Sequence, residues 1–255
     1  MALTLTPLTG IPLISPGDDL APLILQAFDR AQLALLDGDI IILAQKIVSK
    51  AEGCLVDLTK VTPSPRALDL AEQTAKDPRL VEVILGESRQ VLRTRPGVIV
   101  VEHRLGFICA SAGVDHSNVH GDKGRPEDWV LLLPENPDAS AAALRQRLEA
   151  ASGRHLGVLI IDSHGRAWRM GTVGVAIGIS GLPGLVDMRG WADLFDFRLQ
   201  ITQVGVADEL AAAASLVMGQ AAEGTPVVHA RGFPYPLREA SLGELIRQRD
   251  QDLFR

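Results

Sequence analysis

The order of the apolar runs is the feature that most constrains the fold of this 255-residue chain. About nine runs have the length and composition of strands, and about five or six helical segments lie between them in irregular order. A regular alternation of strands and helices would indicate a doubly wound parallel sheet or a barrel, whereas this order favours the α+β class. We therefore predict mixed and antiparallel sheets with packed helices. No domain boundary is visible, so residues 1–255 are expected to form a single domain.

Local patterns predict individual elements. Asp18 or Asp19 can cap a helix that runs to about Leu36. The residues at 98–102 and 107–110 favour a hairpin around the turn HRLG. Further helices are predicted at 66–76, 79–92, 139–151 and 239–255, and a further strand at 199–207.

Composition excludes several classes of protein. The formal net charge of −6 argues against a general nucleic-acid or anionic-membrane surface. The N-terminus has no basic segment followed by an apolar stretch, and no apolar run reaches the length that spans a bilayer. Cys54 and Cys109 form neither a metal-binding spacing nor a disulfide framework. We expect a cytoplasmic protein that interacts with neither nucleic acid nor membrane.

Three apolar runs end in polar clusters. IIILAQKIVSK ends with Gln45, Lys46, Ser49 and Lys50, FICASAGVDHSN with Asp115, Ser117 and Asn118, and VLIIDSHGR with Asp162, Ser163, His164 and Arg166. Any one of these endings is explained by a turn, because Asp, Asn, Ser and Gly dominate turns. Three together indicate a site. Carboxylate and hydroxyl oxygens suit Mg²⁺ or Mn²⁺, and lysines offset phosphate charge.

Other residues allow two interpretations. His116 and His164 each adjoin an aspartate; they are either turn residues or partners of a ligand residue, or they are metal ligands themselves. The glycines of MGTVGVAIGISGLPG allow close backbone packing or the approach of a ligand. Gly219 either ends a helix or begins a loop that contacts a nucleotide.

The chain resembles the coenzyme F420-0:L-glutamate ligase family. The resemblance covers roughly residues 5–240 and rests on separated blocks that include GIPLISPGDDL, DGDIIILAQKIVSKAEG, ICASAGVDHSNV, GVLIIDSHGRAWRMGTVGVAIGISGL and VADELAAAASLVMGQAAEGTPVV. It suggests the stand-alone form, which has no fused nitroreductase-like domain. It implies an α+β protein that forms an intertwined homodimer with the nucleotide site near the subunit interface.

The resemblance also implies a reaction. GTP, with Mg²⁺ or Mn²⁺ and assisted by K⁺, would convert the phospholactyl carboxylate of F420-0 into an acyl phosphate. The amino group of L-glutamate would attack this intermediate, and further glutamates would follow through γ-linkages. A related ligase with a different phosphorylated acid or amino acid, or a non-catalytic nucleotide-binding protein, would present similar residues.

The family resemblance implies roles for the positions named below, but it identifies no catalytic base. Metal ligands fall at Asp115, Asp162, Ser163 and Gln220. Nucleotide contacts fall at Ile11, Pro12, Leu13, Ile14, Gln45, Lys46, Lys50, Asn118, Met218, Gly219, Gln220, Ala221, Ala222, Glu223, Gly224 and Thr225. Archaeal members have a metal-binding glutamate at the position of Gln220. The resemblance implies a second metal ion there, and the neutral amide of Gln220 offers that ion no negative charge. Ser163 replaces a threonine and keeps its hydroxyl.

Overall fold

The computed structural model describes residues 2–121 and 124–253. Its α-helices are α1 (Leu20–Arg30), α2 (Gln45–Ala51), α3 (Pro65–Thr74), α4 (Pro78–Gly86), α5 (Pro137–Ser152) and α6 (Val206–Met218). Its strands are β1 (Thr4–Leu8), β2 (Ile40–Ala44), β3 (Leu55–Asp57), β4 (Ser88–Arg95), β5 (Val98–His103), β6 (Ile108–Ala110), β7 (Trp129–Leu131), β8 (Gly157–Arg166), β9 (Arg169–Ser180), β10 (Val186–Asp187), β11 (Gln203–Val204) and β12 (Val227–Arg231).

A five-stranded sheet in the order β1-β12-β2-β8-β9 forms the centre of the molecule. Only β2 and β8 run parallel to each other; the other neighbours are antiparallel. The four isoleucine and leucine side chains of 40–43 are fully buried, as expected for a strand covered on both faces.

Helices cover both faces of this sheet. Ile41 and Leu43 belong to one buried cluster, which includes side chains of α1 and α5. Ile40 and Ile42 belong to a second cluster, which includes the small side chains of α6. The alternation of β2 between two helical layers explains why its sequence is apolar at every position.

A smaller unit consists of α3, α4 and the antiparallel sheet β4-β5-β6. Its own buried cluster includes Val81, Ile84, Ile99 and Val101. Strands β3 and β7 form a separate antiparallel pair. β6 leads directly into residues 111–118, so this unit delivers the second polar cluster of the sequence to the large sheet.

The residues from 186 to 204 form an antiparallel arm, which begins with β10 and ends with β11. Backbone hydrogen bonds such as that from the Gly190 N–H to the Leu199 carbonyl (2.8 Å) hold its two sides together. Several large apolar side chains of the arm are exposed: Trp191, Leu194, Phe195, Phe197 and Ile201. Strand prediction over 199–207 was therefore wrong except at the two residues of β11.

The α+β class with mixed and antiparallel sheets is confirmed. The hairpin of β5 and β6 is also confirmed, with Val101 opposite Cys109. The run 40–50 is strand only to Ala44 and then becomes α2. The apolar residues Ile47 and Val48 therefore lie on α2, where they pack into the same buried cluster as Ile41 and Leu43.

Other element boundaries differ from the prediction. α1 begins after the Asp19 cap but ends at Arg30, because Gln32 adopts a positive φ of 54° and the chain turns toward β2. Residues 88–92 belong to β4 rather than a helix, since they pair with β5. The tail has two short 3-10 turns instead of a helix, and the Leu242 N–H donates to the Asp138 carboxylate (3.0 Å).

The charged segment HGDKGRPED at 120–128, with its Gly and Pro residues, predicts a loop, of which 122–123 lie outside the described residues. The last two residues of the predicted tail helix, 254–255, also lie outside them. Among the helices that the structure describes, none combines the length and hydropathy needed to cross a membrane. The assignment of residues 1–255 to a single domain stays a prediction.

Candidate functional site

Three segments meet at one edge of the central sheet. Because β2 and β8 are parallel and Ala44 pairs with Ile161, both strands present their carboxyl ends at the same edge. β12 is antiparallel to β2, so the loop before β12 reaches this edge as well, and the Ala44 N–H donates to the Pro226 carbonyl (2.9 Å). Ligands bind outside the carboxyl ends of parallel strands in many open sheets.

Lys46 connects the first and second polar clusters. Its ammonium group forms an ion pair with the Asp115 carboxylate and donates to the Ser117 hydroxyl (3.2 Å). Ser117 in turn donates to Asp115 Oδ1 through its backbone N–H (3.0 Å) and its hydroxyl (2.8 Å). The Lys46 and Asp115 side chains are 25% and 27% exposed, so a ligand in solution can reach both.

A second set of contacts connects α2 to the loop at 218–225. The Lys50 ammonium donates to the Asn118 carbonyl (2.6 Å), and the Asn118 amide donates to the Ala221 carbonyl (3.1 Å). Asn118 has a positive φ of 57°, which asparagine tolerates better than most residues. Predicted nucleotide-contact residues from three separate segments are therefore in direct contact.

Asp162 lies on β8 immediately beyond the end of β2. Its Oδ2 is 3.0 Å from His164 Nε2, and His164 packs against Phe107 with ring centroids 5.2 Å apart. Burial acts to raise the pKa of Asp162, but the hydrogen bond and charge of His164 together with Lys46 bring the pKa below its ordinary value. Asp162 is therefore held as a carboxylate, the form that binds metal.

The two lysines lose part of their hydration at this site. Burial lowers the pKa of Lys46, the Asp162 carboxylate opposes that shift, and the charge of Lys50 adds to it. Burial also lowers the pKa of Lys50. An added anion would raise the pKa of both lysines, since a nearby negative charge favours the ammonium form.

Ser163 and Gln220 form a contact on the other side of β8. The Ser163 hydroxyl donates to the Gln220 Oε1 (2.9 Å), which brings two predicted metal ligands together. Gly219 has a φ of 79°, which residues with a side chain rarely adopt, and a Cβ there would displace the Glu223 side chain. Gly219 therefore ends α6 and also permits the tight loop that carries Gln220.

Gln45 is buried but keeps an unused hydrogen-bond donor. Gln45 is only 1% exposed, and its Oε1 accepts a hydrogen bond from the Ser49 hydroxyl (2.8 Å). Its Nε2 has no hydrogen-bond partner among the described residues. A buried amide nitrogen without a partner is costly, and an acceptor from a ligand would remove that cost.

The segment at 11–14 lies farther from these contacts. The Gly17 N–H donates to the Ala51 carbonyl (2.8 Å), which attaches this loop to the C-terminal end of α2, about 9 Å along the helix from Gln45. Ile14 is buried, whereas Leu13 is 94% exposed. Within the described ranges, no hydrogen bond or ion pair joins residues 11–14 to the other predicted site residues.

The structure also clarifies residues whose role the sequence left open. Ser117 orients Asp115 and contacts Lys46, so it does more than shape a turn. His164 contacts a predicted metal ligand, whereas the side chain of His116 forms no hydrogen bond within the described part of the chain. The spacing D-x-H could have predicted the contact between Asp162 and His164, because alternate residues of a strand share a face.

The side chains at this edge offer oxygen ligands in two groups. Asp115 and Asp162 both interact with Lys46, and Ser163 contacts Gln220. Hard cations such as Mg²⁺ and Mn²⁺ accept such donors. No group of three or more histidine, cysteine, aspartate or glutamate residues suited to a metal occurs in the described residues, so the hydroxyl and amide oxygens would have to contribute.

Comparison with known proteins gives the family. The chain matches the sequence model of the family described as F420-0:Gamma-glutamyl ligase over residues 10–232. It is 49% identical to the coenzyme F420:L-glutamate ligase of Methanothermobacter thermautotrophicus, covering 100% of each chain. The chain belongs to this family. The Methanopyrus kandleri ligase is 48% identical, covering 95% of this chain and 93% of the relative, and the Methanocaldococcus jannaschii ligase is 44% identical over 88% of each.

Membership in the F420-0:gamma-glutamyl ligase family confirms the resemblance seen in the sequence and the prediction that the chain is a ligase. The roles of individual site residues stay predictions. What the structure adds is their arrangement, because most of them converge at one edge of the sheet.

Proposed function

We propose that this chain adds L-glutamate to the phospholactyl carboxylate of coenzyme F420-0 and then extends the product with γ-linked glutamates. GTP would supply the activating phosphate. The observation that carries the proposal is the convergence of Lys46, Lys50, Asp115, Asp162 and the 218–225 loop at one sheet edge. The names of the relatives, which are coenzyme F420:L-glutamate ligases, support the same substrates.

The proposed chemistry proceeds in two balanced steps. A carboxylate oxygen of F420-0 attacks the γ-phosphorus of GTP, GDP leaves, and an acyl phosphate forms. The neutral amino group of glutamate then attacks the acyl carbon, and phosphate leaves with the former carboxylate oxygen. The first step brings anions together, so positive charge at the site lowers its barrier.

Lys46 and Lys50 would provide this positive charge. Each ammonium lies at the sheet edge and has a pKa lowered by burial, so each is poorly hydrated before the nucleotide binds. Contact with phosphate oxygens would replace the lost hydration. The free Gln45 amide and the peptide groups of Met218–Thr225 would add hydrogen bonds to the nucleotide.

Asp115 and Asp162 would hold one Mg²⁺ or Mn²⁺, and the oxygens of Ser163 and Gln220, on the other face of β8, would contribute to a second. When bound, the metal would neutralise charge on the phosphates during transfer. Within the chain, His164 keeps Asp162 oriented and ionised, and Ser117 orients Asp115. K⁺ is retained as a proposed activator without assigned ligands.

A homodimer is the proposed assembly, and the arm at 186–204 supports it. Leu194, Phe195 and Ile201 are 96%, 89% and 87% exposed on a segment that packs little against its own chain. Large exposed apolar patches mark interaction surfaces. Light scattering after size exclusion should give twice the monomer mass, and a Phe195→Asp chain should elute as a monomer.

A ligation assay tests the proposal. The purified chain, F420-0, glutamate, GTP and Mg²⁺ or Mn²⁺ should release GDP and yield products heavier by glutamyl units in a mass spectrum. A heavy oxygen isotope placed in the F420-0 carboxylate should appear in the released phosphate. Reactions with ATP, with a chelator, or with Na⁺ in place of K⁺ should be slower. Turnover of another acid without any mass shift of F420-0 would refute the proposal.

A further inference from the structure

The β8–β9 hairpin extends well beyond the central sheet. β2 ends opposite Ile161, yet β8 and β9 remain paired to Arg166 and Arg169. The part from 165 to 172, called the hairpin tip below, is exposed throughout. Trp168 and Met170 in this tip are 88% and 96% exposed. Arg166 in this tip belongs to the third polar cluster of the sequence.

The hairpin tip continues the face of β8 that carries Asp162. Alternate side chains of a strand share a face, so Asp162, His164 and Arg166 lie on one side of β8. Arg169 is the cross-strand partner of Arg166. At about 3.3 Å per residue, Arg166 lies roughly 13 Å beyond Asp162, past a register shift between Gly165 and Arg166, and its guanidinium donates to the Met170 carbonyl within the tip.

These two arginines differ from most others in the molecule. Arg79, Arg189, Arg231 and Arg238 all contact carboxylates at 2.5–2.7 Å. Arg166 donates only to the Met170 carbonyl (3.1 Å), and within the described residues neither guanidinium of the tip has a carboxylate partner. Two unpaired guanidiniums on one hairpin form an anion-binding pair in a chain whose net charge is negative.

Trp168 occupies a turn position that disfavours it. Its φ of 62° is left-handed, a conformation that glycine or asparagine adopts at less cost in a two-residue hairpin turn. An exposed tryptophan gains nothing from folding in return. Strain of this kind at an exposed aromatic side chain points to a ligand that uses the ring.

We propose that the hairpin tip is the subsite for the acceptor F420-0, a role that rests on the ligase function proposed above. Arg166 and Arg169 bind the phosphate of its phospholactyl group. Trp168 contacts the flat ring system of the coenzyme beyond that phosphate. The carboxylate at the other end of the phospholactyl group then lies toward Asp162 and Lys46.

The two faces of β8 separate the acceptor from the nucleotide loop. Ser163 points to the face opposite that of Asp162, and its hydroxyl contacts Gln220 in the 218–225 loop. The tip arginines are on the Asp162 side. An arrangement in which the nucleotide approaches along α6 and the acceptor along the hairpin would bring the γ-phosphate and the acceptor carboxylate together between them.

The double substitution Arg166→Gln with Arg169→Gln tests the anion subsite. The KM for F420-0 should rise about tenfold or more, while the KM for GTP stays within about twofold of the parent value. Trp168→Ala should raise the KM for F420-0 severalfold. Calorimetric titration of the same proteins with F420-0 alone should show the same loss of affinity without turnover.

A matched control is Arg93→Gln with Arg95→Gln, because these arginines are also exposed on a strand and lack carboxylate partners. That control should leave both KM values unchanged. The proposal is overturned if the tip variants change the KM for GTP instead, if neither KM changes, or if Trp168→Ala alters the oligomeric mass, which would make the tip an interface. Failure of the parent chain to ligate F420-0 would refute the proposed function itself.

Discussion

The charged groups at the two ends of β2 differ in how deeply they are buried and how completely they are paired. At its start, Asp39 is 1% exposed and binds Arg231 through two hydrogen bonds of 2.8 and 2.7 Å. Asp39 Oδ2 also accepts from the Leu36 N–H (2.9 Å) and lies 2.9 Å from His229 Nε2. Both oxygens of this carboxylate are fully used inside the protein.

Beyond the other end of β2, the charged groups are less completely paired. Lys46 and Asp115 are about one-quarter exposed, and the buried Gln45 amide has a nitrogen without a partner among the described residues. Burial lowers the pKa of Lys46 despite the nearby carboxylates. The same strand thus joins a closed ion network, which is buried although the His229 ring nitrogens form no hydrogen bond among the described residues, to an open one, which a ligand in solution can reach.

Removing Asp39 should have the largest effect of all on stability. Asp39→Ala leaves the Arg231 guanidinium and the buried His229 without their shared partner, and loss of one member of a buried pair costs about 3 kcal/mol or more. Urea unfolding should show this loss, while the folded fraction keeps its kcat. The surface variant Glu127→Ala, which removes a partner of the exposed Arg125, should change the unfolding free energy by less than about 0.5 kcal/mol. Equal losses in the two variants would show that the network at Asp39 is not special.

Asp115→Asn should lower activity and leave stability nearly unchanged, the reverse of Asp39→Ala. The amide keeps the shape and the hydrogen bonds from Ser117 but loses the charge that a metal and Lys46 require. We expect kcat for GDP release to fall about 100-fold, with a change in unfolding free energy within about 1 kcal/mol. Asp57→Asn, at an exposed turn outside the site, is the control and should retain full activity. Full activity in the Asp115 variant would remove the ligand role.

Sequence patterns predicted which segments come together better than they predicted the element boundaries. Each polar cluster follows an apolar run, and parallel pairing of β2 with β8 brings two of those clusters together. Periodicity could not show that the strand stops at Ala44 and that Gln45 begins α2. That boundary depends on the Pro226 carbonyl, which comes from a residue far along the chain.

The parts that the sequence could not predict depend on tertiary contacts. Contacts with the rest of the chain hold the tail in place of the predicted helix. The Leu242 N–H donates to the Asp138 carboxylate, and Glu244 accepts from the N–H groups of Gly184 and Leu185. The arm at 186–204 packs little against the rest of the chain. Neither element has a hydrophobic period that specifies where it must lie.

The closed network should lose stability in mild acid because it contains His229. Burial lowers the pKa of His229 below 6.5, against the opposing effect of Asp39, so folding favours the neutral imidazole. The unfolded chain therefore binds more protons below pH 6.5, and stability should fall as the pH drops through that value. Arg231 and the other hydrogen bonds outweigh the effect of burial and lower the pKa of Asp39, so its contribution is lost only below about pH 3.8.

Urea midpoints measured between pH 7.5 and pH 5 check this expectation. The parent chain should lose stability across the window, and His229→Gln should show a flatter dependence because the titrating group is gone. His155→Gln is the control, since His155 is 74% exposed and should leave the slope unchanged. A parent midpoint independent of pH over this window would contradict the assignment of a buried neutral His229.

The smallest change is expected at Gln220, where the open network can be given one more charge. Gln220 Oε1 accepts from the Ser163 hydroxyl, so Gln220→Glu puts a carboxylate oxygen where an amide oxygen now lies, with little change in shape. A carboxylate binds a divalent cation more tightly than an amide does, so the Mn²⁺ concentration for half-maximal GDP release should fall severalfold. Gln73→Glu, at an exposed position of α3, adds the same charge away from the site and serves as the control. An unchanged metal titration would show that Gln220 does not face the cation.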